Sequence, residues 1–462
     1  MNSVANVANR MEKLIGSDRV QTTEASLQDF AICGRAPLAV LKPRSPGEVA
    51  EIVSFAVPEK LALVACGSRS KLELGMPPQR YDLALDMTGL RQMAHYDPGD
   101  LTVSVDAGMP LSELAIALAA EQQFLPLDVP CIAISTVGGA IASGIDSTLR
   151  QQYGTARDLL IGAEFVDGTG KQCKSGGRVV KNVTGYDLHK LLIGSLGTLG
   201  VITRLNFRTF PVPELRGAHV ATFPVMEAAL NYHASLLKSG LPFSNLELID
   251  SEFSTLLVGF LNKTGGAGPS LAASGWHVCA FFEGSPVLIE RIRRELRELS
   301  AQAQAAGSDT LDTLGTQSSE QMSGTLREAF NWLRSAAPNV ALLRIVLPQI
   351  TPGDVAELQQ FARQSPLRSA LALRACNVAY LVVYVETENE QTNAALERVA
   401  SGLFSRVETM KGSAALLHAP RWLKDRVNIW GKGRVDFPLM QRVKRAFDPQ
   451  NIFAPGRFVG GL

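Results

Sequence analysis

Glycine recurs at Gly194, Gly197 and Gly200, directly ahead of an alternating stretch from Val201 to Thr209. The longer segment Gly176–Arg204 reads as a short helix, a glycine-punctuated turn and a strand. Tyr186–Ile193 carries Leu188, Leu191 and Leu192 at helical spacing, and Gly194 falls where a left-handed cap would end that helix. In the strand, Val201, Leu205 and Phe207 are expected on one face, and Arg204, Asn206 and Arg208 on the other. Glycine at this density marks a backbone that bends sharply or lies close against something flat. Taken alone, the segment leaves a tight packing turn and a ligand-contacting loop both open.

A chain of 462 residues is too long for one ordinary core, so two or more domains are expected. Forty-five basic residues against 44 acidic ones create no field that would draw nucleic acid or an anionic membrane. No run of 18 apolar residues suggests a membrane span, and the N-terminus lacks the apolar core of a secretory signal. The expected location is cytoplasmic, with peripheral attachment to the inner membrane through a partner left open. The six cysteines lie far apart with no Cys-x-x-Cys, which argues against a locally built iron–sulfur cluster or zinc site. No metal is expected, and most of the thiols read as buried.

Residues 1–36 read as a helical lead-in. From residue 37 to 212 short strands alternate with helices and small-residue loops. Strand Ala62–Ala65 runs into Cys66–Lys71, and Ile132–Gly144 is rich in glycine and alanine. Leu159–Val166 is a buried strand closed by the turn Asp167–Gly170. After Pro213 the texture becomes regular. Val340–Met410 reads strand, helix, strand, strand, helix, strand, the order of a ferredoxin-like βαββαβ unit, with Arg406–Met410 as its last strand. Val220–Ile249 and Trp276–Gly307 look like related pieces, and Gly307–Glu320 reads as a polar loop. Residues 213–415 thus form one expected domain and 416–462 a closing segment, with a final helix near Phe437–Phe447.

Three small-residue loops therefore stand in order, at Cys66–Lys71, Ser135–Gly144 and Gly194–Gly200. Such loops can turn successive N–H groups onto a diphosphate. A dinucleotide fingerprint, a P-loop, His-Glu-x-x-His and Gly-x-Ser-x-Gly are all absent. The order of loops resembles the FAD-binding domain of the vanillyl-alcohol oxidase/PCMH flavoprotein superfamily, most closely in the manner of the FAD-binding small subunit of bacterial glycolate oxidase. The resemblance is carried by Ser135–Gly139, Tyr153-Gly154 with Arg157-Asp158, Val180–Asp187, Gly194–Ile202 and the tail Phe447-Asp448-Pro449…Pro455-Gly456-Arg457. It implies an α+β chain: a PCMH-type FAD-binding domain of two α/β subdomains, and an α+β cap that serves substrate or subunit contacts.

By the same resemblance Cys66, Gly67, Ser68, Arg69 and Ser70 would lie over the FAD diphosphate. Thr136, Gly138, Gly139, Ser143 and Gly144 would line the flavin and its ribityl-phosphate. Gly200, Val201 and Ile202 would approach the adenosine part or the pyrimidine edge. The first loop holds no histidine for a flavin bond, so FAD would be non-covalent, and Arg69 could reach the diphosphate or point into solvent. Ala454 stands where the family's closing motif has asparagine, which removes one polar contact. The histidine- and glycine-rich metal motif of the catalytic 2-hydroxy-acid dehydrogenases is missing. His418, Trp430 and Asp436 fall near the place where an active-site face would lie, and His418 with Arg421, Arg434 or Arg457 could supply a base and a carboxylate clamp. The sequence does not bring them together, and no catalytic residue is assigned. The implied role is an FAD-binding subunit working beside a larger flavoprotein subunit and an iron–sulfur subunit on a small 2-hydroxy acid. A self-sufficient FAD-dependent dehydrogenase and a structural subunit with a degenerate flavin site are the alternatives.

Overall fold

The computed structural model describes residues 4–178, 185–264, 274–311, 322–329, 337, 339–374 and 377–462. Most of the Val180–Asp187 motif and Cys376 lie outside the described residues. The chain divides into two compact units. The first comprises Met1–Ser147, Thr155–Val212 and Lys432–Leu462; the second comprises Thr148–Gly154 and Pro213–Gly431. The closing segment therefore begins at Lys432 rather than 416.

Two larger sheets and a two-stranded ribbon, Gln123–Phe124 with Phe210–Pro211, build the first unit among the described residues. In the smaller of the two sheets, Ala39–Leu41, Leu83–Asp86 and Leu63–Cys66 run parallel, and Val20–Gln21 adds an antiparallel edge. The first 36 residues are thus part of this unit rather than a separate lead-in. Helix Val4–Ile15 sets Val7, Met11 and Ile15 at four-residue spacing into the core beside Ile52 and Val53 of helix Pro46–Glu59. The larger sheet is antiparallel, in the order Met93–Asp97, Thr102–Asp106, Val201–Arg208, Leu160–Val166, Gln172–Gly176.

Strand Val201–Arg208 departs from the expected alternation. Its pairing with Leu160–Val166 slips between Ile202 and Arg204, leaving Thr203 as the extra residue of a bulge. Facing therefore changes along the strand: Ile202, Leu205 and Phe207 share one core, while Val201 belongs to the core of the smaller sheet. Asn206, expected outside, is buried and donates to the Gly177 carbonyl at 3.0 Å. The expected helix before it is a single 3₁₀ turn, Leu188–Leu191, and Gly194 adopts φ +73°.

The second unit carries one antiparallel sheet of eight strands. Its order is Gly307–Leu311, Leu215–Phe223, Trp276–Gly284, Phe243–Ile249, Arg368–Arg374, Val378–Val385, Asn339–Val346, Ser413–His418. Each half of four has the ferredoxin-like order, fourth-first-third-second; the second is a βαββαβ unit, the first adds helix Ser251–Thr264 between its second and third strands, and the halves join where Glu247–Ile249 pairs with Ala372–Arg374. Gly307–Leu311, read as loop, is the edge strand of the first half. In the second half Arg406–Met410 is not the last strand. Val407 continues the buried stripe of Leu396, Val399, Ala400 and Leu403, so helix Glu390–Thr409 runs on and the strand starts at Ser413. Among the described residues no helix is long and apolar enough to cross a membrane.

Candidate functional site

The three glycine loops meet inside the first unit. Strand Leu63–Cys66 delivers Gly67 against Thr136 so closely that a Cβ on Gly67 would lie 2.0 Å from the Thr136 hydroxyl oxygen. Thr136 caps helix Val137–Ser143 by accepting from the Gly139 amide at 3.2 Å. Gly138 donates to the Ala107 carbonyl at 2.7 Å, an approach its own Cβ would block. At its far end the same helix meets the third loop: Gly194 and Leu196 donate to the carbonyls of Ile141 and Ala142, each at 2.9 Å.

These contacts frame two adjoining hollows that share Cys66, Gly67, Thr136 and Gly139. Ser68, Arg69, Ser70 and Ser143 line one; Gly138, Gly200 and Ile202 line the other. Of the residues singled out from the sequence, Gly144 and Val201 stand apart. Gly144 ends the helix at φ +61°, with the Gly194 Cα where its Cβ would be, so its work is packing. The bulge turns Val201 into the neighbouring core.

The cleft is rich in donors. The amides of Gly67, Ser68, Arg69, Gly197 and Gly200 carry no partner among the described residues. Arg69 adopts φ +66°, and a left-handed residue in such a loop opens a concave row of N–H groups, the arrangement that takes up phosphate oxygens. Its guanidinium lies over the Phe30 ring, 4.4 Å from the centroid, and the residue is exposed. Cys66 is a neutral thiol: burial pushes it up to about 12.

The closing segment completes the site. Leu63 donates to the Ile452 carbonyl at 2.7 Å, and Ala454 to the Leu63 carbonyl at 2.8 Å, so the tail lies alongside the strand that feeds the first loop. Arg457, 3% exposed, donates to the carbonyls of Leu72 and Leu74 and lines the cleft. Ala454 is buried among Phe30, Ile32 and Val64 at φ +43°, a conformation asparagine tolerates better than alanine.

Comparison with known proteins fits this architecture. The family model for the FAD binding domain matches residues 37–176, and that for the C-terminal domain of FAD linked oxidases matches residues 212–458, more than half of the chain. The chain belongs to the FAD-linked oxidases. It is similar to glycolate oxidase subunit GlcD of Bacillus subtilis, at 24% identity over 91% of this chain and 88% of that protein. It is also similar to glycolate oxidase subunit GlcE of Escherichia coli, at 38% identity over 165 residues, 36% of this chain and 47% of that one. The fold is that of p-cresol methylhydroxylase in its substrate-bound crystal structure, with a TM-score of 0.78 at 17% identity over 99% of this chain and 97% of that chain. The cofactor is FAD, and the unpartnered amides of the cleft are donors of the kind its diphosphate requires.

The residues weighed for a base and a carboxylate clamp are divided between the two units. Arg434 and Asp436 pair with each other on the surface at 3.1 Å, and Arg457 is held by backbone carbonyls. His418 ends a strand of the second unit, half-buried. Sequence reasoning missed two features. Lys71 lines the cleft, its ammonium on the hydroxyl oxygens of Ser135 and Ser70. In the second unit a buried polar row crosses the sheet: Tyr153 and Arg216 donate to Glu283, and Arg374 pairs with Glu247 at 2.8 Å, with Asn245 donating to the same carboxylate. Polar residues at alternate positions of an otherwise apolar strand, Asn245 and Glu247, were the available signal. Among the described residues no group of three or more His, Cys, Asp or Glu is placed to hold a metal ion.

Proposed function

We propose that this FAD-linked oxidase is the flavin-binding subunit of a glycolate-oxidase-like complex acting on a small 2-hydroxy acid, beside a larger flavoprotein subunit and an iron–sulfur subunit. The observation that carries the reading is the row of unpartnered amides in the three-loop cleft of a chain similar to two glycolate oxidase subunits. In this assignment the loop Cys66–Ser70 holds the diphosphate through the amides of Gly67, Ser68 and Arg69. Thr136, Gly138, Gly139 and Ser143 line the flavin and ribityl-phosphate, and Gly200 and Ile202 approach the remaining edge. Gly144 and Val201 support the cleft from behind. Bound FAD supplies a two-electron acceptor for hydride from the carbon bearing the substrate hydroxyl. The chain's own part is to orient that group and shield it from water.

The full-length similarity to GlcD favours a second reading, in which the chain oxidises the acid unaided. An absorption spectrum of the chain purified alone, followed by anaerobic addition of glycolate and D-lactate, separates the two. Bound flavin that stays oxidised supports the subunit role, and flavin that bleaches supports the second reading. A colourless protein that takes up no added FAD overturns both. Gly139→Asp, which sets a carboxylate in the cleft, is expected to abolish flavin retention; unchanged flavin content would show that the cleft is not the cofactor site.

A further inference from the structure

We propose that Lys71 is the cation that pairs with the cofactor's diphosphate. The inference rests on the cleft assignment above and adds to it Lys71, the residue of the first loop to which the family resemblance gave no role. Three cations line the hollow: Arg69, Lys71 and Arg457. The Arg69 side chain is turned over the Phe30 ring, and the Arg457 guanidinium is bound by the Leu72 and Leu74 carbonyls. Lys71 is positioned differently. Its Nζ donates to the Ser135 hydroxyl at 2.5 Å and lies 3.4 Å from that of Ser70, while these two hydroxyls are 3.2 Å apart.

Ser135 is itself fixed. It is 1% exposed and donates to the Cys131 carbonyl at 2.8 Å, so its oxygen is a rigid seat for the ammonium. The seat holds the charge at the wall of a hollow that Gly67, Ser68 and Arg69, whose amides carry no partner among the described residues, also line. Amides alone offer partial charges. A fixed ammonium beside them supplies a charge-assisted bond to an anionic oxygen. The ligand class it selects is a phosphate-bearing flavin over a neutral one.

The test is equilibrium titration of the full-length apoprotein with FAD and with riboflavin, each at low and high salt, for the wild type, Lys71→Gln and Lys71→Arg. Glutamine keeps a hydrogen-bond donor on a side chain one atom shorter and removes the charge. Lys71→Gln is expected to weaken FAD about tenfold or more and to flatten its salt dependence. Riboflavin binding should change by less than about twofold, in line with its lack of phosphate. Lys71→Arg should recover most of the FAD affinity. Unchanged FAD binding in Lys71→Gln overturns the proposal while leaving the cleft assignment in place, and so does an equal loss for both flavins. Wild-type salt dependence that is the same for FAD and riboflavin also overturns it, without relying on any variant's folding. Failure of the wild type to bind either flavin overturns the cleft assignment itself.

Discussion

Gly67 carries more of the site than its size suggests. Any side chain there must displace Thr136, and Thr136 in turn caps the helix that supplies Gly138 and Gly139. Gly67→Ala is expected to lower stability by about 1–3 kcal/mol through strain and the lost cap, and to lower flavin content with it. Chemical denaturation and the flavin-to-protein absorbance ratio of the same preparation check both. At this scale the sequence showed residue type but not direction. The small residues of all three loops were legible because only they allow close backbone approach. Arg69 was ambiguous because Phe30, 39 positions earlier, decides where its guanidinium lies. Val201 was misplaced because a single inserted residue, Thr203, reverses the facing of its neighbours, and no local pattern announces a bulge.

The final helix shows what periodicity can and cannot reveal. Phe437–Phe447 was visible as a helix, yet Lys444 on it is 4% exposed. Its ammonium donates to Asp448 at 2.6 Å and to the carbonyls of Thr198 and Phe453, while Asp448 accepts from the amides of Ile452 and Phe453. The cluster ties the third glycine loop to the closing segment. Burial pulls the lysine below its usual range, and the ion pair with Asp448 opposes that pull. Lys444→Met would leave the fully buried Asp448 carboxylate without its counter-charge, and a loss of about 3–5 kcal/mol is expected on denaturation of the full chain. A loss below about 1 kcal/mol would show the pair to be replaceable by packing. The ferredoxin-like half at Asn339–His418 was legible because its helices and strands alternate at full length. Its last strand was not, since Arg406–Met410 satisfies a strand pattern locally and the helical stripe only in the context of Leu396–Leu403.

Across the whole molecule, the pH response is expected to contain a histidine component from the second unit. His233 is buried on helix Met226–Lys238, and burial holds it down to about 4, whereas an unfolded histidine titrates near 6.5. Between those values the unfolded chain binds a proton that the folded chain refuses. This contribution to stability is therefore full above about pH 6.5 and is lost as the pH falls toward 4, by on the order of 3 kcal/mol. Asp250, raised by burial to about 6, works in the opposite sense: its folded form takes up a proton first, so its contribution grows as the pH falls through the same window. Stability profiles of wild type and His233→Asn between pH 4 and about 7 separate the two, since their difference isolates the histidine. A difference that does not vary with pH would mean that His233 titrates alike in both states.

The tail that lies beside Leu63 sets an order on synthesis. A ribosome delivers the strand Leu63–Cys66 almost four hundred residues before Ile452 and Ala454 emerge to flank it. Until then the nascent first unit shows an unpaired strand edge, the kind of surface that invites mispairing or a chaperone, while every strand of the second unit has already left the exit tunnel. A shortened message would thus release a chain with a finished second unit and a first unit whose strand at Leu63 is never flanked.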